Sequence, residues 1–125
     1  MATTNLTAAN FEQTVKDHDI VLVDFWADWC GPCKMFAPIF EAASERHPGM
    51  VFGKVDTELE RELSAAAQIT SIPTLMVFRE GILVYAQPGA MPAKPLEELI
   101  GAVEAADMEA VRAEMAEQQA SESAK

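Results

Sequence analysis

Cysteine is scarce here: the 125 residues contain two. Two cysteines cannot build the disulfide framework of a small secreted domain. With no second cysteine pair, and with His18 and His47 far off in sequence without ligand spacing, a four-ligand structural zinc site has no donor set. Basic residues are few as well. Nine Lys and Arg against twenty Asp and Glu leave a formal net charge of −11, which argues against nucleic-acid or anionic-membrane partners and speaks mainly to solubility. No apolar run approaches the length needed to span a bilayer. Met1 to Asn10 lack the basic start and apolar run of a secretory signal, and no internal repeat is visible. What remains is 50% hydrophobic and 23% charged, enough for one domain with a real core and too short for two. The expectation is a soluble, monomeric protein of the reducing cytoplasm.

Both cysteines stand in Trp29-Cys30-Gly31-Pro32-Cys33-Lys34. Two intervening residues at a helix start put both sulfurs on one turn, near enough to bond. Gly31 permits a tight turn, and Pro32 suits the first helical position, where its missing N–H is no loss. Cys30 then falls at the helix edge, where unpaired amide donors favour an anion, so its attacking thiolate forms more readily than in a free chain. A purely structural bridge is a poor alternative, because closing so short a loop constrains the unfolded chain little. The pair reads as a redox dithiol.

Elsewhere the residues specify alternating strands and helices. Thr7 is expected to cap a short helix carrying Phe11 and Val15, and His18 to be solvated. Ile20 to Trp26 is an apolar, β-branched run suited to a central strand, interrupted by Asp24. A carboxylate there costs free energy unless paired or protonated, so it hints at function. Phe36, Ile39, Phe40 and Ala43 form a helical core stripe, with a kink expected at Pro38 and an end at Arg46-His47-Pro48-Gly49, where His47 is expected to be exposed. Met50 to Asp56 reads as a second buried strand. Thr57 should cap a helix presenting Leu59, Leu63 and Ala66 to the core. Thr74 to Phe78 and Ile82 to Tyr85 make an antiparallel hairpin around Glu80-Gly81. From Pro95 a last helix turns Leu96, Leu99, Ile100 and Val103 to one side. Beyond it, Met108, Val111 and Met115 draw a thin apolar line through an acidic Ala/Glu-rich segment, equally compatible with helix and with fraying.

Trp29 to Lys34, preceded by Val23-Asp24-Phe25-Trp26 and followed by Ser71-Ile72-Pro73-Thr74, resembles the thioredoxin family over about Leu6 to Ala105. The resemblance implies an α/β domain with the thioredoxin fold, a central mixed β-sheet flanked by helices on both faces, over residues 1–106, leaving 107–125 as an extension. It implies a general protein disulfide reductase with no bound cofactor, recharged by a thioredoxin reductase and acting on disulfide-containing target proteins. Gly31-Pro32 belongs, in that comparison, to reductants. Cys30 is expected to be the exposed nucleophile and Cys33 the resolving thiol, with Asp24, near Lys54, managing the proton of Cys33. The resemblance also implies a cis Ile72-Pro73 bond. Trp29, Gly31, Pro32, Ile72, Pro73, Thr74 and Gly89 are the implied substrate contacts. Pro88 and Thr70 depart from the family pattern of an aliphatic and a basic residue, which bears on partner preference. From another class, a redox-switched binding or chaperone-like module would use the same groove. Reduction of a disulfide with a flavoprotein reductase separates the two.

Overall fold

The computed structural model describes residues 2–123. In chain order the elements are β1 (Thr3–Asn5), α1 (Phe11–Asp17), β2 (Ile20–Trp26), α2 (Gly31–Arg46), β3 (Val51–Asp56), α3 (Arg61–Ala66), β4 (Thr74–Arg79), β5 (Ile82–Pro88), α4 (Ala93–Ala105) and α5 (Met108–Ser123). One five-stranded sheet runs in the order β1-β3-β2-β4-β5. Strands β1, β3 and β2 are parallel, while β4 pairs antiparallel with both β2 and β5. The mixed sheet with helices on both faces is the architecture the sequence implied.

The period of two in β2 decides what each face holds. Val21, Val23 and Phe25 pack with Leu6, Val15, Val55 and Met76 beside α1 and α3. Ile20 and Leu22 pack with Phe36 and Phe40 of α2, Phe52, and Leu96, Ile100 and Val103 of α4. Asp24 is in step with Ile20 and Leu22, so the strand's alternation turns it towards the face that α2 covers. Phe25, Phe36, Phe40 and Phe52 are fully buried, each worth roughly 1.5–3 kcal/mol in transfer from water. Phe40 and Phe52 meet edge to face at 5.2 Å between centroids, which ties α2 to β3.

The β4–β5 hairpin closes through Glu80 and Gly81, whose φ angles of 52° and 80° match the turn twist of paired strands. At the same end, the Arg79 Nη1 donates to the carbonyls of Val103, Glu104 and Ala106. These are carbonyls at the C-terminal end of α4, where the helix leaves oxygens short of partners; that of Val103 also accepts from the Ala106 N–H. Helix α5 begins there: Asp107 Oδ1 accepts from the Ala110 N–H, Met108 is buried, and Arg112 pairs with Glu80. The extension is thus helical from Met108 through Ser123, with its last two residues outside the described range.

Several local expectations need correction. Strand β1 has no counterpart among the strands expected from sequence, because three residues acquire strand character only by pairing with β3. The regular turns of α1 start at Phe11, and Thr7 instead heads a preceding turn, accepting from the Ala9 N–H. Thr57 caps no helix. Its hydroxyl donates to the Trp26 carbonyl, while Asp56 Oδ1 takes the N–H groups of Glu58 and Leu59. That turn delays α3 to Arg61 and leaves Leu59 79% exposed and Ala66 exposed, while Leu63 and Ala67 pack. His47 is half-buried: its ring stacks on Phe52, and Nε2 meets Glu97 at 2.7 Å.

Candidate functional site

Cys30 is the N-cap residue of α2, in extended conformation, and Pro32 lies in the first turn. The Cys33 N–H donates to Cys30 Sγ at 3.2 Å, so one amide that the helix start leaves unpaired is aimed at that sulfur. Cys30 and Cys33 are joined as a disulfide with their Cα atoms 5.2 Å apart. The expected contrast in exposure between them is absent. Cys30 is 4% exposed and Cys33 3%. The bond itself, and the Ile72 carbonyl oxygen 3.6 Å from Cys30 Sγ, cover the sulfur that was expected to stand free. Position rather than exposure distinguishes them, Cys30 at the cap and Cys33 one turn inside.

The loop facing the disulfide is shaped by the cis Ile72-Pro73 bond. Its Pro73 carbonyl accepts from the Gly89 N–H at 2.8 Å, tying that loop to the end of β5. Gly89 sits at φ +107°, a left-handed conformation that a side chain would strain. Gly31, Pro32 and Gly89 are exposed, Ile72 is half-buried and Pro73 is buried. Thr74 does not belong with them as an outward contact. It is buried, and its hydroxyl donates to the Ser71 carbonyl at 2.6 Å, so it braces the turn.

Trp29 is 70% exposed. Its indole Nε1 donates to Glu58 Oε1 at 2.8 Å, a partner that nothing near Trp29 in sequence announces. Trp29 and Ile72 wall a groove of about 530 Å³ that Thr57, Glu58, Arg61, Ser64, Ala65, Ile69, Thr70 and Ser71 complete.

On the sheet face that α2 covers lies Asp24, fully buried. Neither of its oxygens has a hydrogen-bond partner among the described residues. Lys54 is its register partner across β2 and β3, and Nζ approaches Oδ2 to 3.7 Å, too far for a good hydrogen bond. Lys54 Nζ also stands 5.0 Å from the Trp26 ring centroid, which divides its attraction. Burial therefore wins over Lys54 and raises the Asp24 carboxyl from 3.8 to about 6. A buried acid with that value exchanges a proton near neutrality.

Comparison with known proteins agrees with this geometry. The thioredoxin family model matches residues 2–102. "Putative thioredoxin 2" of Streptomyces coelicolor is 56% identical over 119 residues, covering 95% of this chain and 89% of the relative. Thioredoxin of Plasmodium falciparum superposes with a TM-score of 0.73 at 38% identity, over 79% of this chain and 97% of that one. A yeast structure described by its thiol resolving mechanism in a mitochondrial 1-Cys peroxiredoxin, via glutathione/thioredoxin systems, superposes with a TM-score of 0.73 at 30% identity, over 80% and 94%.

Proposed function

The chain belongs to the thioredoxin family, and on that premise we propose how its residues divide the work of protein disulfide reduction. It is a thiol-disulfide oxidoreductase. In the reduced protein, the Cys30 thiolate attacks one sulfur of a target disulfide. A Cys30–target bond forms, the target's bond breaks, and its second sulfur leaves as a thiolate that takes a proton. Cys33 then loses its proton and attacks Cys30 Sγ, forming the Cys30–Cys33 disulfide and releasing the target's remaining thiolate. Two electrons pass to the target, whose first thiolate takes a proton from solvent and whose second takes up the one that Cys33 gave to Asp24.

The observation that carries this division is the place of the two sulfurs. Cys30 Sγ holds the Cys33 amide at the head of α2, where the helix stabilises negative charge by roughly 0.3–2 kcal/mol. Cys33 lies inside, on the side of the strand that bears Asp24. Asp24 accepts the Cys33 proton during resolution, and Lys54 limits how far its pKa rises. Trp29, Gly31, Pro32, Ile72, Pro73 and Gly89 form the docking surface, and Thr74 supports it from beneath. A flat and largely uncharged rim suits many extended target segments.

Recharging falls to a flavoprotein thioredoxin reductase, and the targets are disulfide-containing proteins of the cytoplasm, with this chain active as a monomer. Residues 1–106 form the catalytic domain and 107–125 an accessory extension. The test is reduction of a protein disulfide coupled to such a reductase and its nicotinamide donor. Wild type turns over, Cys30→Ser does not, and turnover by Cys30→Ser would refute the assignment.

A further inference from the structure

Helix α2 turns a third sulfur to solvent. Cys33 and Phe36 are buried, while Gly31, Pro32, Lys34 and Met35 are exposed. Met35 stands three residues after Pro32 and four after Gly31, so the three share one face of the helix. Helical side chains lean towards the N-terminus, which lays the Met35 thioether over the turn that carries Gly31 and Pro32. Met35 is 71% exposed, so the fold packs little of its apolar surface. The docking surface at the head of α2 therefore continues onto a flexible, polarisable side chain of the kind that adapts to many partners. The other methionines among the described residues are placed differently. Met76 and Met108 are buried, and Met50 and Met91 pack against the core. Met115 is 39% exposed and lies on α5, which anchors at the hairpin end.

We propose that Met35 is a modification site on the docking surface: oxidation of its thioether to the sulfoxide by hydrogen peroxide weakens capture of polypeptide targets and leaves the dithiol chemistry intact. The proposal rests on the docking surface described above and adds to it a contact and a reversible modification. In the step, the thioether sulfur attacks one peroxide oxygen, the O–O bond breaks and an S–O bond forms. The sulfur gives up two electrons. The other oxygen leaves as hydroxide and takes the remaining peroxide proton, so water is the second product. The sulfoxide is polar, and a target segment that covers it must strip it of water. A polypeptide that extends along α2 meets this cost. A small disulfide needs contact only at the sulfurs and does not. Sulfoxide reductases return the thioether, so the change can be undone.

In the experiment the disulfide form, which offers peroxide no free thiol, is treated with hydrogen peroxide, and sulfoxides are located by peptide mass spectrometry. Met35 should convert first, ahead of Met115 and well ahead of the core methionines. After peroxide is removed and the disulfide reduced, the KM for insulin should be raised about three- to tenfold at unchanged kcat, as covering a newly polar group implies. The rate with 5,5′-dithiobis(2-nitrobenzoate) should change less than about twofold. Met35→Leu keeps an apolar contact of similar volume, so its KM should stay within about twofold of wild type and no longer respond to peroxide. Met35→Gln should show the raised KM without peroxide. A wild-type KM unmoved at full Met35 conversion would overturn the proposal, as would a peroxide response retained in Met35→Leu or equal losses on both disulfides. Failure of untreated wild type to reduce insulin would bring down the disulfide-reductase reading and the proposal with it, whereas an active protein with an unmoved KM sinks the proposal alone.

Discussion

Replacing Asp24 with Asn should make the protein more stable at neutral pH and slower as a reductase. The carboxyl is buried and titrates at about 6, against 3.8 when unperturbed. A folded value above the unfolded one means that the folded state holds the proton between the two. Stability from this group is fully present below 3.8, falls as pH rises to about 6, and is level above about 7. A tenfold change in proton affinity between the folded and unfolded chain corresponds to about 1.36 kcal/mol, so the ionised carboxylate costs the fold on the order of 3 kcal/mol at pH 7. That figure already includes the attraction of Lys54. Asn keeps the shape without the charge, but leaves a buried amide whose own unmet hydrogen bonds take back about 1–2 kcal/mol. A net gain on the order of 1–2 kcal/mol is expected at pH 7. Denaturant unfolding of wild type and Asp24→Asn at pH 7 and pH 4 isolates the effect, since the other carboxylates are common to both. The difference should favour the variant at pH 7 and shift against it by roughly 2–2.5 kcal/mol on going to pH 4. Turnover at pH 7 should fall while the first attack by Cys30 is spared. A variant less stable at both pH values by the same amount, with normal turnover, would refute the reasoning. It would mean that Lys54 and Asp24 act as a true ion pair.

Gly53 faces Leu6 so closely that an added Cβ would stand 2.7 Å from Leu6 Cγ. Gly53→Ala should therefore cost about 1–3 kcal/mol by overpacking, measured by denaturant midpoint, with the activity of the folded fraction intact. Truncation before Ala113 should cost less than about 0.5 kcal/mol, as for other exposed surface changes, because the removed part of α5 is exposed. Truncation before Asp107 also removes buried Met108 and should cost roughly 1.5–3 kcal/mol, visible as a lower Tm. Reductase activity should survive both cuts, since α5 anchors at the hairpin end, away from the disulfide.

The parts of the fold legible in sequence are those whose signal is local. The apolar run of β2, the Phe stripe of α2 and the Glu80-Gly81 turn each carry their periodicity or turn chemistry within a few residues. Most of what escaped depends on partners distant in sequence. β1 exists because Thr3 to Asn5 pair with Phe52 to Lys54. Leu59 has the spacing of a core residue, yet the Asp56 side chain captures the local amides and turns it outward. His47 is drawn in by Glu97 on another helix. At the site, the dithiol and the buried aspartate could be read because their residue types are out of place in their segments. Glu58 could not, because an acidic residue in an acidic chain is unremarked until it meets Trp29. The covering of Cys30 likewise arises from the Ile72 loop, which only the folded chain brings across.

The central claim is that Cys30 attacks and Cys33 resolves. It is tested most directly by the two single-cysteine variants, Cys33→Ser and Cys30→Ser, each reduced and mixed with a disulfide-bonded protein at neutral pH, with mixed-disulfide formation followed by mass spectrometry. Cys33→Ser should form a stable conjugate through Cys30, at least about tenfold faster than Cys30→Ser forms one through Cys33, since only Cys30 stands at the helix cap, where the unpaired amides stabilise a thiolate. Equal rates, or faster conjugation through Cys33, would contradict the account.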